Sequence, residues 1–465
     1  MFVKQLYTSC LAEAAYYVES EGLAAIVDPI REIEPYIELA KSRGATIKYV
    51  FETHFHADFV SGHIDLARQT GAQIIFGPLA ETSYPVYNAK DGEEFRIGNL
   101  TMRTIHTPGH TPESTCYLLL DKNYQEYCIF TGDTLFVGDV GRPDLLDGKM
   151  SSEELAGMLY DSLHNKIKKL PDEVLVYPAH GPGSACGKNI GKETWSTIGD
   201  QKKMNYALGN MPRHEFIRTL VDGLLPPPAY FFEDARINKE GYSAIDAVIK
   251  KNNRGLSPEE FRSEIDGGAV ILDTRRGADF DQGFIDKSIN IGLEGMYAIW
   301  VGTILNINDR IVLVCYSGKE EEAIRRLARV GFENVAGYIE NGIDGWKNAG
   351  FPIETMKTIE PAQFAERVHS GVSVIDVRNV SETSIGHIRD ASLIPLAELR
   401  NNFSSISKNE PVYVHCAGGY RSMIACSILR ANGFDNVVNV HQGWNKIKDT
   451  GVPIVLGSDE NMVTK

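Results

Sequence analysis

Short apolar runs recur through the first half of the chain, each cut off by a polar or glycine-bearing turn. Tyr49–Thr53, Met102–Ile105, Tyr127–Phe130 and Val174–Tyr177 are too short for helices and rich in β-branched and aromatic residues, so they read as strands. Just past each strand stands a polar residue of a chemically active type: His54, His110, Asp133 and His180. Ligating residues on loops at one edge of a sheet are what a rigid scaffold provides. Beyond about Gly255 the pattern changes, and strand-like runs alternate with helix-like stretches such as Lys319–Val330 and Met423–Asn432. That alternation predicts a mostly parallel sheet covered by helices.

The second half also repeats itself. Val270-Ile-Leu-Asp273-Thr-Arg275 corresponds to Val374-Ile-Asp376-Val-Arg378, Gly345-Trp346 to Gly443-Trp444, and Gly350-Phe-Pro-Ile353 to Gly451-Val-Pro-Ile454. The offset of around 100 residues is far longer than a solenoid unit, so this is a duplicated α/β domain. Pro226-Pro227-Pro228 is a stiff break near the end of the first part. The expected domains are 1–240, 255–356 and 357–465, in keeping with the roughly three that the length allows.

Composition narrows the partners. Hydrophobic content of 43% and charged content of 23% are ordinary for a soluble globular protein. A net charge of −15 argues against nucleic acid. No apolar run is long enough for a bilayer, and Met1–Cys10 lacks the pattern of a secretory signal, so no membrane association is expected. Seven cysteines, an odd number, read as free thiols in a reducing compartment, with the cytoplasm as the expected location.

The first part holds a metal constellation. Thr53-His54-Phe55-His56-Ala57-Asp58, Pro108-Gly109-His110-Thr111, Thr131-Gly132-Asp133 and Tyr177-Pro178-Ala179-His180 follow in order, each at a strand end. A lone His-x-His is as well read as solvated histidines; four ordered segments are not. Their order and spacing resemble the metallo-β-lactamase superfamily, which implies an αββα fold. In the superfamily's two-zinc hydrolases the first motif ends in histidine, whereas this chain has Phe59, which cannot ligate. One metal is therefore expected, with His63 nearby as a possible substitute imidazole. Two imidazoles and one carboxylate leave several coordination positions open, as in non-heme Fe(II) oxygenases.

Gly138-Asp-Val-Gly141-Arg142-Pro-Asp144, together with Ser9-Cys10, resembles the persulfide dioxygenase branch. That resemblance implies His54, His110 and Asp133 as ligands of one mononuclear non-heme Fe(2+) per chain. It leaves His56, Asp58 and His180 as neighbours or extra ligands, and implies that Thr131 and Arg142 contact the thiol carrier of the substrate.

A different chemistry is expected at Cys416-Ala-Gly418-Gly419-Tyr-Arg421-Ser422, between the strand-like Val412–Val414 and the helix-like Met423–Arg430. Loop amides, the helix N-terminus and Arg421 would converge on one sulfur and stabilise a thiolate or an anion attached to it. A six-residue cradle from Cys416 to Arg421 fits a single sulfur, whereas cysteine phosphatases use one residue more. Gly418, Gly419 and Ser422 are candidate substrate contacts. The duplicated half resembles tandem rhodanese domains, with Asp376-Val-Arg378, Gly386-His387-Ile388 and Gly443-Trp444 in framework roles. Aligning Val312-Leu-Val314 with Val412-Tyr-Val414 puts Tyr316 at the Cys416 position, Glu321 at Arg421 and Glu322 at Ser422, with Cys315 one place early. Acids there would oppose a sulfur anion, so 255–356 reads as a pseudo-rhodanese without a catalytic cysteine.

The whole chain resembles persulfide dioxygenase–rhodanese fusions. The resemblance implies oxidation of a small persulfide, carried on glutathione, coenzyme A or another thiol, with O2 to sulfite. Cys416 would then convert sulfite to thiosulfate, and a homo-oligomer is expected. The alternative is a zinc thioester hydrolase like glyoxalase II fused to a rhodanese.

Overall fold

The computed structural model describes residues 1–145, 150–224 and 226–457. The last eight residues of the expected 357–465 domain therefore lie outside the described residues. Among the described residues, no helix is long and apolar enough to cross a membrane. The chain forms two compact units: Met1–Val248 together with Arg325–Phe332, and the remainder from Ile249 onward.

In the first unit two six-stranded sheets face each other. One runs in the order Phe2–Thr8, Glu13–Ser20, Leu23–Val27, Thr46–Phe51, Gln73–Phe76 and Tyr87–Asn88. The other holds Glu94–Ile97, Leu100–His106, Thr115–Leu120, Glu126–Gly132, Leu175–Pro178 and Ser196–Thr197. Strand Thr115–Leu120 shows why the sequence is so apolar here. Tyr117 and Leu119 enter the core between the sheets, while Cys116 and Leu118 pack outward beneath helix Ser152–Asn165. Both faces of the strand are buried, so period-two alternation is lost. On the opposite outer face, Ile74 and Phe76 pack against Ile64 and Ala67 of helix His63–Thr70. This is the αββα layering expected.

Loop ends from both sheets are tied together at one edge. Gly132 sits at φ 51°, and a Cβ there would stand 2.4 Å from Thr53 Oγ1. Thr115 N–H donates to Thr53 O at 2.9 Å, and Ala179 N–H to Gly132 O at 3.1 Å. The unit extends past the expected boundary at 240 and takes in a segment far along the chain. Buried Arg31 donates to Ala328 O at 2.6 Å and to Ser243 O at 3.0 Å, and Arg329 donates to Glu32 at 2.5 Å.

The second unit contains the two repeats. Each has a five-stranded parallel sheet in the same order. The first is Gly255–Leu256, Val335–Ile339, Ile311–Val314, Val270–Asp273 and Ile289–Asn290; the second is Lys357–Ile359, Val437–Val440, Val412–His415, Ser373–Asp376 and Ser392–Leu393. The Asp-x-Arg motif makes the same bonds in both. Arg275 Nη2 donates to Asp273 at 2.5 Å and Gly283 O at 2.9 Å; Arg378 Nη2 donates to Asp376 at 2.6 Å and Gly386 O at 2.8 Å.

Strand register corrects the alignment read from sequence. Asp273 pairs with Val314, and Asp376 pairs with His415. The residue after each partner is a cysteine, so Cys315, not Tyr316, occupies the place of Cys416. Glu320 then matches Arg421, and Glu321 matches Ser422. Gly342 likewise replaces Gly345 as the counterpart of Gly443, since a Cβ at Gly342 would lie 2.9 Å from Cys315 O and one at Gly443 2.1 Å from Cys416 O. The sequence match went astray because Val-x-Val occurs in both strands one position out of step.

Candidate metal and sulfur sites

Three imidazoles and two carboxylates meet where the sheet loops converge. Asp133 Oδ2 lies 3.4 Å from His110 Nε2 and 3.9 Å from His54 Nε2; its Oδ1 lies 3.5 Å from His180 Nε2. Asp58 Oδ2 is also 3.5 Å from His180 Nε2. His54, His110 and Asp133 form one buried group able to hold a metal ion, and His56, Asp58 and His180 form another, each with its ligand atoms within 4.8 Å of one another. Asp133 thus faces both groups.

Hydrogen bonds dictate which nitrogen of each ring is free. His110 Nδ1 donates to Arg142 O at 2.7 Å, and His180 Nδ1 to Ala12 O at 3.2 Å, since carbonyls only accept. Thr53 donates its single hydroxyl proton to Asp28 at 2.8 Å, so His54 Nδ1, 2.9 Å away, must donate to Thr53. All three Nε2 lone pairs are left facing Asp133. Such outer bonds are how proteins orient metal-binding imidazoles.

The electrostatics also fit a cation. Both Asp133 oxygens, His110 Nε2, His180 Nε2 and Asp58 Oδ1 are buried without a hydrogen-bond partner. Burial, then repulsion from His56, His110 and His180, lowers the His54 pKa well below its ordinary value and keeps it neutral for ligation. At His180 burial opposes charge, but Asp58 and Asp133 outweigh it and raise the pKa. Buried carboxylates crowded around rings with bare nitrogens are the environment a metal ion relieves.

Phe59 is fully buried, with its ring 4.3 Å from that of His56. His63 does not replace the missing imidazole, because its Nε2 bonds Tyr84 Oη at 2.6 Å and its Nδ1 faces Glu52 at 3.5 Å. Sequence reasoning missed three neighbours. Asp28 lies 3.1 Å and Glu52 3.5 Å from His56 Nε2, and Cys186 shares a potential ligand group with Asp133 and His180. Asp28 ends strand Leu23–Val27 much as Asp133 ends its own strand, a signal that was readable. Cys186 sits in a glycine-rich loop that carries no such signal.

Thr131 and Arg142 are both buried and turned inward. Thr131 Oγ1 donates to Leu135 O at 2.7 Å. The Arg142 guanidinium is bound to Asp144 at 2.6 and 2.7 Å and to Ala185 O at 3.3 Å. Arg142 touches the metal-ligand group through its carbonyl instead, which accepts from His110. A cavity of about 600 Å³ is lined in part by Phe55, Ala57, Leu79, Thr111, Pro112 and Phe232. Phe55, Ala57 and Thr111 are chain neighbours of the histidines, so this cavity adjoins the ligand loops.

In the second repeat Cys416 follows strand Val412–His415 and is 1% exposed. Gly419 N–H donates to its sulfur at 3.1 Å, an approach that uses Gly419 at φ 103°. From below, Trp444 N–H donates to Cys416 O at 2.6 Å and Asn445 N–H to Ala417 O at 3.0 Å. A Cβ at Gly418 would meet only Asn445 Nδ2, at 3.8 Å, so the outer side of the loop is open. Arg421 is paired with Glu382 through two bonds of 2.6 and 2.7 Å, and Ser422 donates to Asn439 at 2.8 Å. Of the expected convergence on the sulfur, one amide is in place, while the arginine is shared with an acid. The framework motif assists: the Arg378 guanidinium lies 4.3 Å over the Trp444 ring.

The corresponding first-repeat thiol has different neighbours. Cys315 is 4% exposed, and burial foremost, with Asp273 and Glu320 adding to it, pushes its pKa up to about 12. A cysteine is therefore present at the right place but held protonated, with an acid where the second repeat has Arg421.

The sequence relationships agree with this organisation. Residues 9–180 match the metallo-beta-lactamase superfamily, and residues 257–349 and 360–450 each match the rhodanese-like domain. The chain is 31% identical over 208 residues to the mitochondrial persulfide dioxygenase ETHE1 of Homo sapiens, covering 44% of this chain and 74% of that protein. It is 30% identical over 227 residues to a hydroxyacylglutathione hydrolase of Rhodospirillum rubrum, covering 47% and 77%. Among solved structures, a metallo-beta-lactamase from Staphylococcus aureus is similar with a TM-score of 0.65 and 31% identity, over 73% of this chain and 98% of that one. The chain thus belongs to the metallo-β-lactamase superfamily, is homologous to the ETHE1 persulfide dioxygenases, and joins that domain to two rhodanese-like domains.

Proposed function

We propose that the protein oxidises a low-molecular-weight persulfide with dioxygen at His54, His110 and Asp133, and transfers sulfane sulfur to sulfite at Cys416. The observation that carries this reading is the group of two Nε2 atoms and one carboxylate, oriented by outer hydrogen bonds, beside a position filled by Phe59. Bound there, Fe(2+) supplies the electron chemistry through which dioxygen reacts with a persulfide. Persulfide, dioxygen and water become thiol, sulfite and two protons.

The chain's own residues do the rest. Thr53 and the Arg142 carbonyl fix the ring orientations, and the cavity beside Phe55 and Thr111 receives the carrier. At the second station, Cys416 thiolate takes the outer sulfur from a persulfide and releases the thiol. Sulfite then attacks that sulfur, thiosulfate leaves, and the thiolate returns. The Gly419 amide stabilises negative charge on the cysteine sulfur in both steps. Oxygen-electrode turnover with glutathione and coenzyme A persulfides, with sulfite and thiosulfate quantified, tests the proposal. Failure to consume oxygen when loaded with Fe(2+) would refute it.

A second reading has its own support. His56, Asp58 and His180 keep most of a second metal site, as a zinc thioester hydrolase of the glyoxalase II type would require. That enzyme would release thiol from S-lactoylglutathione without oxygen, and the persulfide enzyme would not.

A further inference from the structure

Tyr420 opens helix Tyr420–Ala431, directly between Gly419, whose amide meets the Cys416 sulfur, and Arg421. Its hydroxyl reaches the first repeat, donating to Gly292 O at 2.8 Å. The ring lies where a side chain would exclude it. A Cβ built on Gly295 would stand 2.3 Å from Tyr420 Cζ and 2.5 Å from Cε2, and one on Gly292 would stand 3.6 Å from Cε2. Gly295 is outside the left-handed region, so its backbone conformation is open to alanine, and the atoms nearest an added Cβ all belong to the Tyr420 ring. Lys319 takes the matching place in the first repeat, so this aromatic reach belongs to the second alone.

The contact continues along the same helix. A Cβ on Gly277 would lie 3.0 Å from Met423 Cγ, and Asn290 N–H donates to Ser427 Oγ at 2.9 Å. Asn290 is itself braced, its side-chain amide donating to Asp273 O at 3.0 Å and Arg275 O at 2.9 Å. The seat is therefore anchored to the Asp-x-Arg frame that the first repeat retains, although its own thiol is held protonated.

We infer that the first repeat serves as a fixed seat for the active loop of the second: Tyr420, lodged on Gly292 and Gly295, is a positioning residue that keeps the Gly419 amide on the Cys416 sulfur. A loop amide acts on a sulfur only while its direction is held, and at Tyr420 the hydrogen bond to Gly292 O and a glycine-lined recess help hold it. The inference rests on the sulfur-transfer reading of Cys416.

The test uses full-length Gly295→Ala, Tyr420→Phe and Tyr420→Leu proteins. Three quantities are measured: sulfur transfer from glutathione persulfide to sulfite, iodoacetamide labelling of Cys416 across pH by site-resolved mass spectrometry, and oxygen uptake. Gly295→Ala is expected to lower kcat for transfer about tenfold with KM for sulfite little changed. It should also move the half-maximal pH of Cys416 labelling upward. Tyr420→Phe should show the same direction at about two- to threefold, and oxygen uptake should be unaltered in all three. If Gly295→Ala does not fold, Tyr420→Leu, which fits the recess, decides alone. Wild-type transfer kinetics and labelling profile in a folded Tyr420→Leu protein would overturn the inference. No transfer by the wild type would instead overturn the sulfurtransferase reading, and the labelling profile would still report on the seat.

Discussion

Asp28 takes the only hydroxyl proton of Thr53, which obliges His54 Nδ1 to donate to that oxygen and leaves Nε2 facing Asp133. Thr53→Val removes the acceptor while keeping the shape, so the ring loses its tautomer control. Metal affinity is expected to fall about 10- to 100-fold, read by equilibrium competition with a chelator; an unchanged affinity would exclude this role for Thr53. His110→Ala goes further, removing one of the two imidazoles of the His54–His110–Asp133 group, and oxygen consumption should be lost. Stoichiometric zinc in the purified protein, with no gain on adding Fe(2+), would count against that assignment. The two loop cysteines differ in their neighbours, Glu320 standing in the first repeat where the second has Arg421. A thiol raised to about 12 stays protonated until strongly alkaline pH, so Cys315 should resist iodoacetamide at about pH 8 while Cys416 reacts. Comparable labelling of both at that pH would contradict the electrostatic contrast between Glu320 and Arg421.

Among the elements, the strands and the polar residues past their ends were legible because apolar runs stopped ahead of His54, His110, Asp133 and His180, and these residues do come together. The duplicated α/β fold was legible in Asp273-x-Arg275 and Asp376-x-Arg378, whose hydrogen bonds are the same in both repeats. What sequence could not supply was register: one residue of slip in a Val-x-Val match exchanged Cys315 for Tyr316, and only inter-strand pairing resolves a slip of that size. Nor could it show Glu382 on Arg421, since that partner lies on another element. Phe59 gives an element-level prediction, because its ring lies against His56 within the loop that carries Asp58. Phe59→His should raise metal content from the proposed one toward about two per chain, measured by elemental analysis. A ratio that stays at one would mean that the loop, rather than the missing imidazole, limits occupancy. Gly443, at φ 53° and 2.1 Å from Cys416 O for an added Cβ, makes a second case. Gly443→Ala must displace the strand end beneath the sulfur, at a cost of about 1–3 kcal/mol and with loss of sulfur transfer. Full transfer with an unchanged melting temperature would show that the crossing is not needed.

Across the whole molecule the two proposed chemistries sit in separate compact units, and in that reading the product of one is the acceptor for the other. The metal-ligand group lies within Met1–Val248, whereas Cys416 and its seat lie in the unit that begins at Ile249. If the units act in series through sulfite, disabling the cysteine must not slow the oxygen chemistry. It must only change what accumulates. Cys416→Ser keeps the size of the side chain and the Gly419 amide but removes the sulfur nucleophile. With glutathione persulfide and oxygen, the variant is expected to consume oxygen at the wild-type rate and to release sulfite in place of thiosulfate. Sulfite also takes sulfur from persulfides in solution to give thiosulfate, so a control with added sulfite and no enzyme fixes the background yield. Thiosulfate above that background in the variant would place the transfer elsewhere. A matching fall in oxygen uptake would show instead that Cys416 lies before the oxygenation, as it would if the rhodanese loop made the persulfide from thiosulfate and fed it to the metal site.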